Sequence, residues 1–541
     1  MTDILLVQPP IRDFYLTAKR TIPYGLAAIA AVLVREGFSV EIIDALASSR
    51  SRNIELPREM HYLREFYAHP DQSPFALFHH FKHFGYSFEY IGQTARHSSA
   101  QLVGISSLFT PYWNEALKTA EIIRANLPNC RIVMGGHHPT LLPHQVMQSA
   151  AVDYILRGDG EVSMPLLAKA LKKGTTIENI PGIVRRTAEG EFAADKPARM
   201  TKPDNYPLPA VELINRRYYR RKKKGSAVVV ASRGCPLKCS YCCMRSSADQ
   251  PYIRRRVASV IAEIERAVDQ YDTGFIDFED ENLSLDRQWF LDLLGAIQAR
   301  FGKNDLELRA MNGLFPPALD EEIICAMAGS GFKTLNLSLG STSVDQLKRF
   351  KRPDVGRAFD AALELASKYR LQAVGYIIVG GPNQQAEDSV RDLLYLAARR
   401  VLAGVSVYYP SPGSPDYERC RSLDVLPNSY ALMRGSVLPI SHTTTRKESS
   451  TLLRLGRILN FIKSLLDRGA SIPQARMYSQ QQSIDISDRS RAGRQLIGWF
   501  MDDGKIRGVR PDGVVYEHNA STRLTRMFLD GLKKIDIKGT M

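Results

Sequence analysis

The chain has 541 residues, 44% of them hydrophobic and 24% charged, and a formal charge of +15. It is too long for one ordinary domain and holds no apolar run long enough to span a bilayer, so a soluble chain of two or three domains is expected. Seven cysteines, a sparse and odd set, exclude a disulfide framework; with an opening, MTDILLV, that lacks a signal peptide's basic region, they predict a cytoplasmic, reducing location.

The first 200 residues alternate strand and helix. Residues 3–8 read as a buried strand, 24–36 as a helix and 39–44 as a second strand. After an insertion, strands follow at 102–106, 131–134 and 154–156, with a helix over 113–126. This predicts an α/β, Rossmann-like doubly wound sheet over residues 1–200, with its ligand beyond the carboxyl ends of the strands. Those ends carry Pro9-Pro10, Ser106-Ser107, Gly135-Gly136-His137-His138 and Arg157-Gly158-Asp159-Gly160-Glu161. Glycines let the backbone approach a large flat ligand, and hydroxyls donate to amides or phosphates. GxGxxG is missing after the first strand, so this is no dinucleotide fingerprint.

The insertion, residues 49–100, is rich in aromatics and histidines, among them His61, Phe66, Tyr67, Phe75, His79, His80 and His83. It is expected to form a small helical subdomain over the sheet or the active-site mouth, with Ser87 capping its last helix. Residues 201–224 hold the densest basic run, 216–224, and read as a basic linker. The positive charge suits an anionic partner or a solvated surface, but no nucleic-acid motif accompanies it, and no such partner is predicted.

From residue 225 six strands recur, near 227–231, 274–278, 307–311, 334–339, 373–379 and 404–409, with amphipathic helices between them. They predict a partial (β/α)6 TIM-like barrel over residues 225–415, with chemistry at the carboxyl ends of its strands. After the first strand comes Cys235-Pro236-Leu237-Lys238-Cys239-Ser240-Tyr241-Cys242, a CxxxCxxC motif. Three bunched thiolates can hold a [4Fe-4S] cluster by three irons and leave the fourth open. Structural zinc would need a fourth ligand, yet Cys130, Cys325 and Cys420 stand alone and Cys243 diverges from its neighbour. After the second strand, Glu279-Asp280-Glu281-Asn282 either caps the next helix or places a carboxylate in the site. Arg309 lies on the third strand, Ser338 to Thr342 follow the fourth, and Gly375 to Pro382 run along and past the fifth. Residues 416–541 read as an α+β extension, with a long amphipathic helix and a hairpin turning at Pro511-Asp512-Gly513, closing the barrel mouth and helping to select substrate.

CxxxCxxC with Tyr241 before its last cysteine resembles the signature of radical S-adenosylmethionine enzymes. The resemblance implies that Cys235, Cys239 and Cys242 ligate the cluster, with Cys243 a bystander. It also implies that S-adenosylmethionine on the open iron is cleaved to a 5'-deoxyadenosyl radical. Tyr241, a carboxylate at Asp280 or Glu281, Ser338 (or Asn336) in place of the usual ribose glutamate, and Gly375 and Gly380 are then its contacts. Upstream, QPP, IPYGL, VGIS, GGHHPT, RGDGE and Pro181-Gly182-Ile183, in that order, resemble the cobalamin-binding domain often placed before such barrels. That likeness assigns Ser106, Ser107, Gly135, Gly136, His137, Gly158 and Gly160 to cobalamin. DxHxxG is absent, so no protein histidine is expected on cobalt, and His137 and His138 are rim residues or donors to the corrin amides.

The activity implied is a cobalamin-dependent radical S-adenosylmethionine methyltransferase that methylates an unactivated carbon through methylcobalamin. Alternatives are a cobalamin-assisted radical cyclase or oxidative rearrangement enzyme, and a non-catalytic iron-sulfur redox or binding protein. The partners implied are a small-molecule or anionic substrate and an external electron donor such as flavodoxin or ferredoxin.

Overall fold

Strands whose two faces are both apolar are stable only where helices cover both sides of their sheet. The computed structural model of the protein describes residues 2–14, 22–78, 80–244, 251–474 and 483–540, with the backbone alone at 303–305, and it meets that condition in the N-terminal region. Seven strands lie in the order Phe192–Ala194, Ile183–Arg186, Tyr154–Leu156, Arg131–Gly135, Leu102–Ser106, Ile4–Gln8 and Val40–Asp44. The last five are parallel and the first two join antiparallel. Leu5, Val7, Val103 and Ile105 pack on one face against helices Phe88–Ser98 and Trp113–Asn126. Ile4, Leu6, Leu102 and Val133 pack on the other against helices Tyr24–Arg35 and Gly160–Lys173. Ser87 caps its helix as expected, accepting the N–H of Tyr90 at 3.2 Å.

Read by chain position, the parallel strands run 2-1-3-4-5, so the connections from Ile4–Gln8 and Leu102–Ser106 leave in opposite directions. A crevice opens between the carboxyl ends of such a strand pair, and ligands of open α/β sheets bind there. Ser106-Ser107 stands at that switch point.

Two compact units share the chain. Met1–Glu55, Phe81–Gly234 and Asp249–Asp277 form one; Leu56–His80, Cys235–Ala248 and Phe278–Met541 form the other. Residues 201–224, read as a basic linker, also make contacts within the first unit, where aromatics of residues 257–278 meet arginines of the basic run. The guanidinium of Arg216 lies 3.4 Å from the Tyr271 ring centroid and that of Arg221 4.3 Å from Phe275. Tyr219 is buried and donates its hydroxyl to Asp44.

The insertion forms its last helix, Phe88–Ser98, but not the helical subdomain expected before it. Pro57, Pro70 and Pro74 interrupt the chain there, so residues 56–78 hold only the 3-10 helix Arg58–Glu65 and irregular chain. They pack, within the second unit, on the C-terminal extension; residue 79 lies outside the described residues. Irregular backbone needs donors from elsewhere for its carbonyls, and arginines supply them: Arg454 donates to Phe66 and Arg489 to Ser73, each at 2.8 Å. In return Tyr62 and Tyr67 donate to the carbonyls of Val437 (2.6 Å) and Ser436 (3.0 Å).

Along the chain the six later strands appear where expected, at Lys224–Val229, Thr273–Phe278, Glu307–Ala310, Thr334–Gly340, Gln372–Val379 and Leu402–Val407, the last three paired in parallel. The extension contains helices Arg446–Leu466, Arg489–Asp503 and Thr522–Leu532 and the hairpin Arg507–Val509 with Val515–Glu517. Among the described residues no helix is long and apolar enough to cross a membrane.

Candidate active site

In the cysteine loop Cys239 is buried, Cys235, Cys242 and Cys243 are half-buried, and none is in a disulfide. Ser240 fixes the loop from inside. Its N–H donates to the Phe350 carbonyl at 2.9 Å, and its hydroxyl lies 2.8 Å from Asp416 Oδ2 and 3.1 Å from the Arg349 carbonyl. Asp416, at the start of helix Pro415–Ser422, donates its own N–H back to the Ser240 carbonyl at 2.9 Å. Burial pushes the Cys242 thiol up to about 12, with the sulfurs of Cys243, Cys239 and Cys235 adding to the effect, and burial raises Cys235 as well. Thiols gathered this way resist ionising by themselves; a cationic iron centre supplies the charge that makes them thiolates. Among the described residues no three His, Cys, Asp or Glu side chains converge on one ion-sized point. An iron-sulfur cluster would be held by Cys235, Cys239 and Cys242 as three separate thiolates. The donor set fits a three-cysteine cluster.

Tyr241 packs edge-on to Phe350, centroids 5.2 Å apart, and its hydroxyl accepts from Arg352 Nη1 at 2.8 Å. Nη2 of the same guanidinium lies 2.6 Å from the Ser338 carbonyl and 2.8 Å from its hydroxyl. Gly340, at φ +84°, leaves the space this needs: a Cβ there would stand 3.0 Å from Arg352 Cδ. Two residues singled out in the sequence are thus joined by an arginine that no motif marked. Asn336, the alternative to Ser338, is engaged elsewhere, donating to the Ala310 carbonyl and accepting from Tyr376, both at 3.2 Å. Arg309 approaches Tyr376 closely enough for its charge to act on that phenol.

Past strand Thr273–Phe278, Asp280 is buried and Glu281 half-buried, and Asn312 holds the turn by donating to the carbonyls of Glu279 (3.0 Å) and Asp280 (3.3 Å). Glu281 is near enough to Cys235 for its charge to add to the rise in that thiol's pKa. Asn282, read only as part of a polar run, points Nδ2 at Cys235 Sγ, 3.9 Å away. Its buried Oδ1 and the buried hydroxyl of Ser284 have no hydrogen-bond partner among the described residues. Such groups cost about 1–3 kcal/mol each when left unpaired, which fits a site completed by a polar ligand. Gly375 has a reason within the protein, since a Cβ would stand 2.8 Å from Phe359 and 2.9 Å from Leu396; at Gly380, φ +75°, it would meet Ser449 Oγ at 2.8 Å.

At the switch point Ser106 is half-buried and Ser107 buried, its N–H donating to the Gly135 carbonyl at 2.7 Å. The Ser107 hydroxyl is buried without a partner among the described residues. An unpaired hydroxyl in this crevice fits the amide-bearing rim of a corrin. Leu108 and Phe109, which drew no notice in the sequence, are 41% and 47% exposed and supply apolar surface beside it. Close packing explains three of the glycines: an added Cβ would stand 2.5 Å from the Ser107 carbonyl oxygen at Gly136, 2.2 Å from that of Ala198 at Gly158, and 2.6 Å from Ile29 Cδ1 at Gly160. Gly135 precedes them at its strand end, and exposed His137 opens the short helix His137–Leu141. His138 is not the rim residue expected. It is fully buried, stacked on Trp113 with centroids 5.3 Å apart, and burial pushes it down to about 4, so it is neutral.

Residues 76–168 match the B12 binding domain and residues 229–395 the radical SAM superfamily. The chain therefore carries a B12-binding region followed by a radical SAM region. It is 24% identical over 473 residues to an uncharacterized methyltransferase of Pyrococcus horikoshii, PH0819, with 85% of this chain and 92% of that protein covered. It is 25% identical over 378 residues to the anaerobic magnesium-protoporphyrin IX monomethyl ester cyclase of Cereibacter sphaeroides, covering 65% of this chain and 60% of the cyclase. In fold it is similar to the radical S-adenosylmethionine methyltransferase TsrM of Kitasatospora setae, solved with tryptophan and a SAM analogue bound. There the TM-score is 0.59 at 20% identity, covering 78% of this chain and 76% of TsrM. The α/β class read from the sequence, a cobalamin-type domain and then a radical SAM domain, is the class observed.

Proposed function

We propose that this chain is a cobalamin-dependent radical S-adenosylmethionine methyltransferase acting on an unactivated carbon of a small molecule. The observation that carries the reading is a cysteine loop fit for a three-thiolate cluster in a chain that also holds a B12-binding domain. When bound, the cluster with S-adenosylmethionine supplies a carbon radical and cobalamin supplies a methyl group.

The protein's residues hold and orient. Cys235, Cys239 and Cys242 grip the cluster. Tyr241 and Ser338, set by Arg352, border S-adenosylmethionine together with the backbone at Gly375 and Gly380. A carboxylate past strand Thr273–Phe278, Asp280 or Glu281, receives the ammonium. Ser106, Ser107, Gly135, Gly136, His137, Gly158 and Gly160 border the corrin. In this reading residues 1–200 serve cobalamin and 225–415 the radical chemistry, while 416–541, clamped to residues 56–78, select the substrate. The cleavage consumes an electron, so an external donor of the flavodoxin or ferredoxin type belongs to the proposal. A cytoplasmic location is supported by seven cysteines without a disulfide.

The cyclase reading has one specific support, the similarity to the Cereibacter sphaeroides enzyme. S-adenosylmethionine with a deuterated methyl group separates the two. The methyltransferase puts the label into its product; products formed alongside 5'-deoxyadenosine without any label would replace it with the cyclase.

A further inference from the structure

The acids of the RGDGE loop are engaged with the chain that enters the cysteine loop. Asp159 is the N-cap of helix Gly160–Lys173, yet its side chain caps no N–H of that helix. One oxygen accepts from the N–H of Met200 at 2.7 Å and the other from Arg233 Nη1 at 2.6 Å. Glu161, in the helix's first turn, accepts from Nη2 of the same guanidinium at 2.6 Å. The side chains are shielded, 23% exposed at Arg233, 12% at Asp159 and 8% at Glu161. Two carboxylates this close and out of water need a cation between them, and the guanidinium offers each a separate N–H.

Arg233 stands two residues before Cys235. Its segment is also clamped by another: Ser232 and Arg233 pair antiparallel with Arg254 and Ile253, and Arg255 donates its N–H to the Ala231 carbonyl at 2.9 Å. Gly234, at φ +91°, passes so close to Pro251 that a Cβ would stand 2.9 Å from its carbonyl oxygen. The loop 157–161 has little slack of its own, since Gly158 and Gly160 press on Ala198 and Ile29. A displacement of that loop therefore moves Asp159 and Glu161, and Arg233 with them.

We infer that Asp159 and Glu161 are positioning residues for the cluster loop, and that through Arg233 they couple occupancy of the cobalamin crevice to the geometry at Cys235. The inference rests on the two-cofactor reading. Coupling of two sites is reciprocal and amounts to roughly 5- to 150-fold in affinity.

The test titrates cobalamin by absorbance into the full-length protein with its cluster reconstituted and with iron chelated away. It compares wild type with Asp159→Asn, Glu161→Gln and Arg233→Lys, each checked for native fold by circular dichroism. Arg233→Lys keeps the charge but loses the fork, so the test survives if a carboxylate variant does not fold. Wild type is expected to differ at least roughly 5-fold between the two forms, with a matching cobalamin-dependent change in the electron paramagnetic resonance of the reduced cluster. In the folded variants that ratio falls towards one while both cofactors still bind. A ratio of one in wild type, or an unchanged ratio in every folded variant, overturns the coupling. A protein that takes up neither cofactor overturns the two-cofactor reading instead.

Discussion

Arg352 and Tyr241 meet at 2.8 Å, guanidinium to phenol, and the same side chain holds Ser338 by both its carbonyl and its hydroxyl. The aromatic of the cysteine motif is thereby tied to the end of the Thr334–Gly340 strand. Arg352→Met is expected to weaken S-adenosylmethionine binding roughly 10- to 100-fold, because a hydrogen bond to a charged group is worth about 1.5–3 kcal/mol. Tyr241→Phe has a smaller effect. The double variant falls short of the sum, as residues sharing one contact do. Isothermal titration of the reconstituted protein measures all three.

Acid should loosen the contact between insertion and extension. Burial, aided by the charge of Arg454, pushes His518 from 6.5 down to about 4, although Asp71, 3.1 Å away, pulls the other way. The unfolded chain takes up a proton near 6.5 that the folded chain refuses until about 4, so stability falls as pH drops through that window, by up to about 3 kcal/mol. Burial would raise Asp71, but His518 and the N–H groups of Ser73 and Val509 hold it below its usual value. Its contribution is lost only at still lower pH. His518→Gln keeps a donor towards Asp71 and does not titrate, so the slope between pH 6.5 and 4 should flatten in thermal melts.

Lys463 is fully buried and donates to the carbonyls of Ala397 (3.3 Å), Arg399 (2.6 Å) and Lys538 (2.7 Å). Burial pushes Lys463 down to about 7, and its single Nζ staples helix Arg446–Leu466 to two other segments. Lys463→Met preserves the stem and removes all three donors. Each buried carbonyl left without a donor costs about 1–3 kcal/mol, and relief of the buried charge offsets part of that. A lower melting temperature with an unchanged fold by far-UV circular dichroism is the expected result.

Gly158 is held at φ +87°, with its missing Cβ only 2.2 Å from the Ala198 carbonyl oxygen. Gly158→Ala meets both backbone strain and a clash with backbone, and should destabilise by about 2–4 kcal/mol. Differential scanning calorimetry of the cofactor-free protein reads this directly.

The central strands Ile4–Gln8, Leu102–Ser106 and Arg131–Gly135 were legible because apolar residues face both sides of the sheet there, whereas the outer strands Ile183–Arg186 and Phe192–Ala194 carry arginines or half-exposed residues and were not. The cysteine loop was legible because three thiols at fixed spacing admit few chemistries. What escaped notice joins residues far apart in sequence. Ser240 and Asp416 are 176 residues apart, Arg352 and Tyr241 111, and Arg233 and Asp159 74. No local pattern predicts such pairs. Residues 56–78 of the insertion misled for a different reason: their aromatics suggested a helical face, but prolines interrupt it, and the partners that organise them, Arg454 and Arg489, lie 388 and 416 positions from the residues they hold. At the carboxyl strand ends glycines suggested backbone approach to a ligand; packing within the protein also calls for two of them, since neighbouring backbone occupies the place of a Cβ at Gly136 and Gly158.

In the proposed enzyme one chain binds two cofactors, with the cluster held by Cys235, Cys239 and Cys242. The direct measurement is anaerobic reconstitution of wild type and the triple Cys→Ala variant with iron, sulfide and cobalamin, then reduction with S-adenosylmethionine present. Wild type should bind about four irons and one cobalamin per chain and form 5'-deoxyadenosine, while the variant keeps the cobalamin and loses both the iron and the nucleoside. A variant that still forms 5'-deoxyadenosine, or a wild type that binds iron but no cobalamin, would rule out this two-cofactor enzyme.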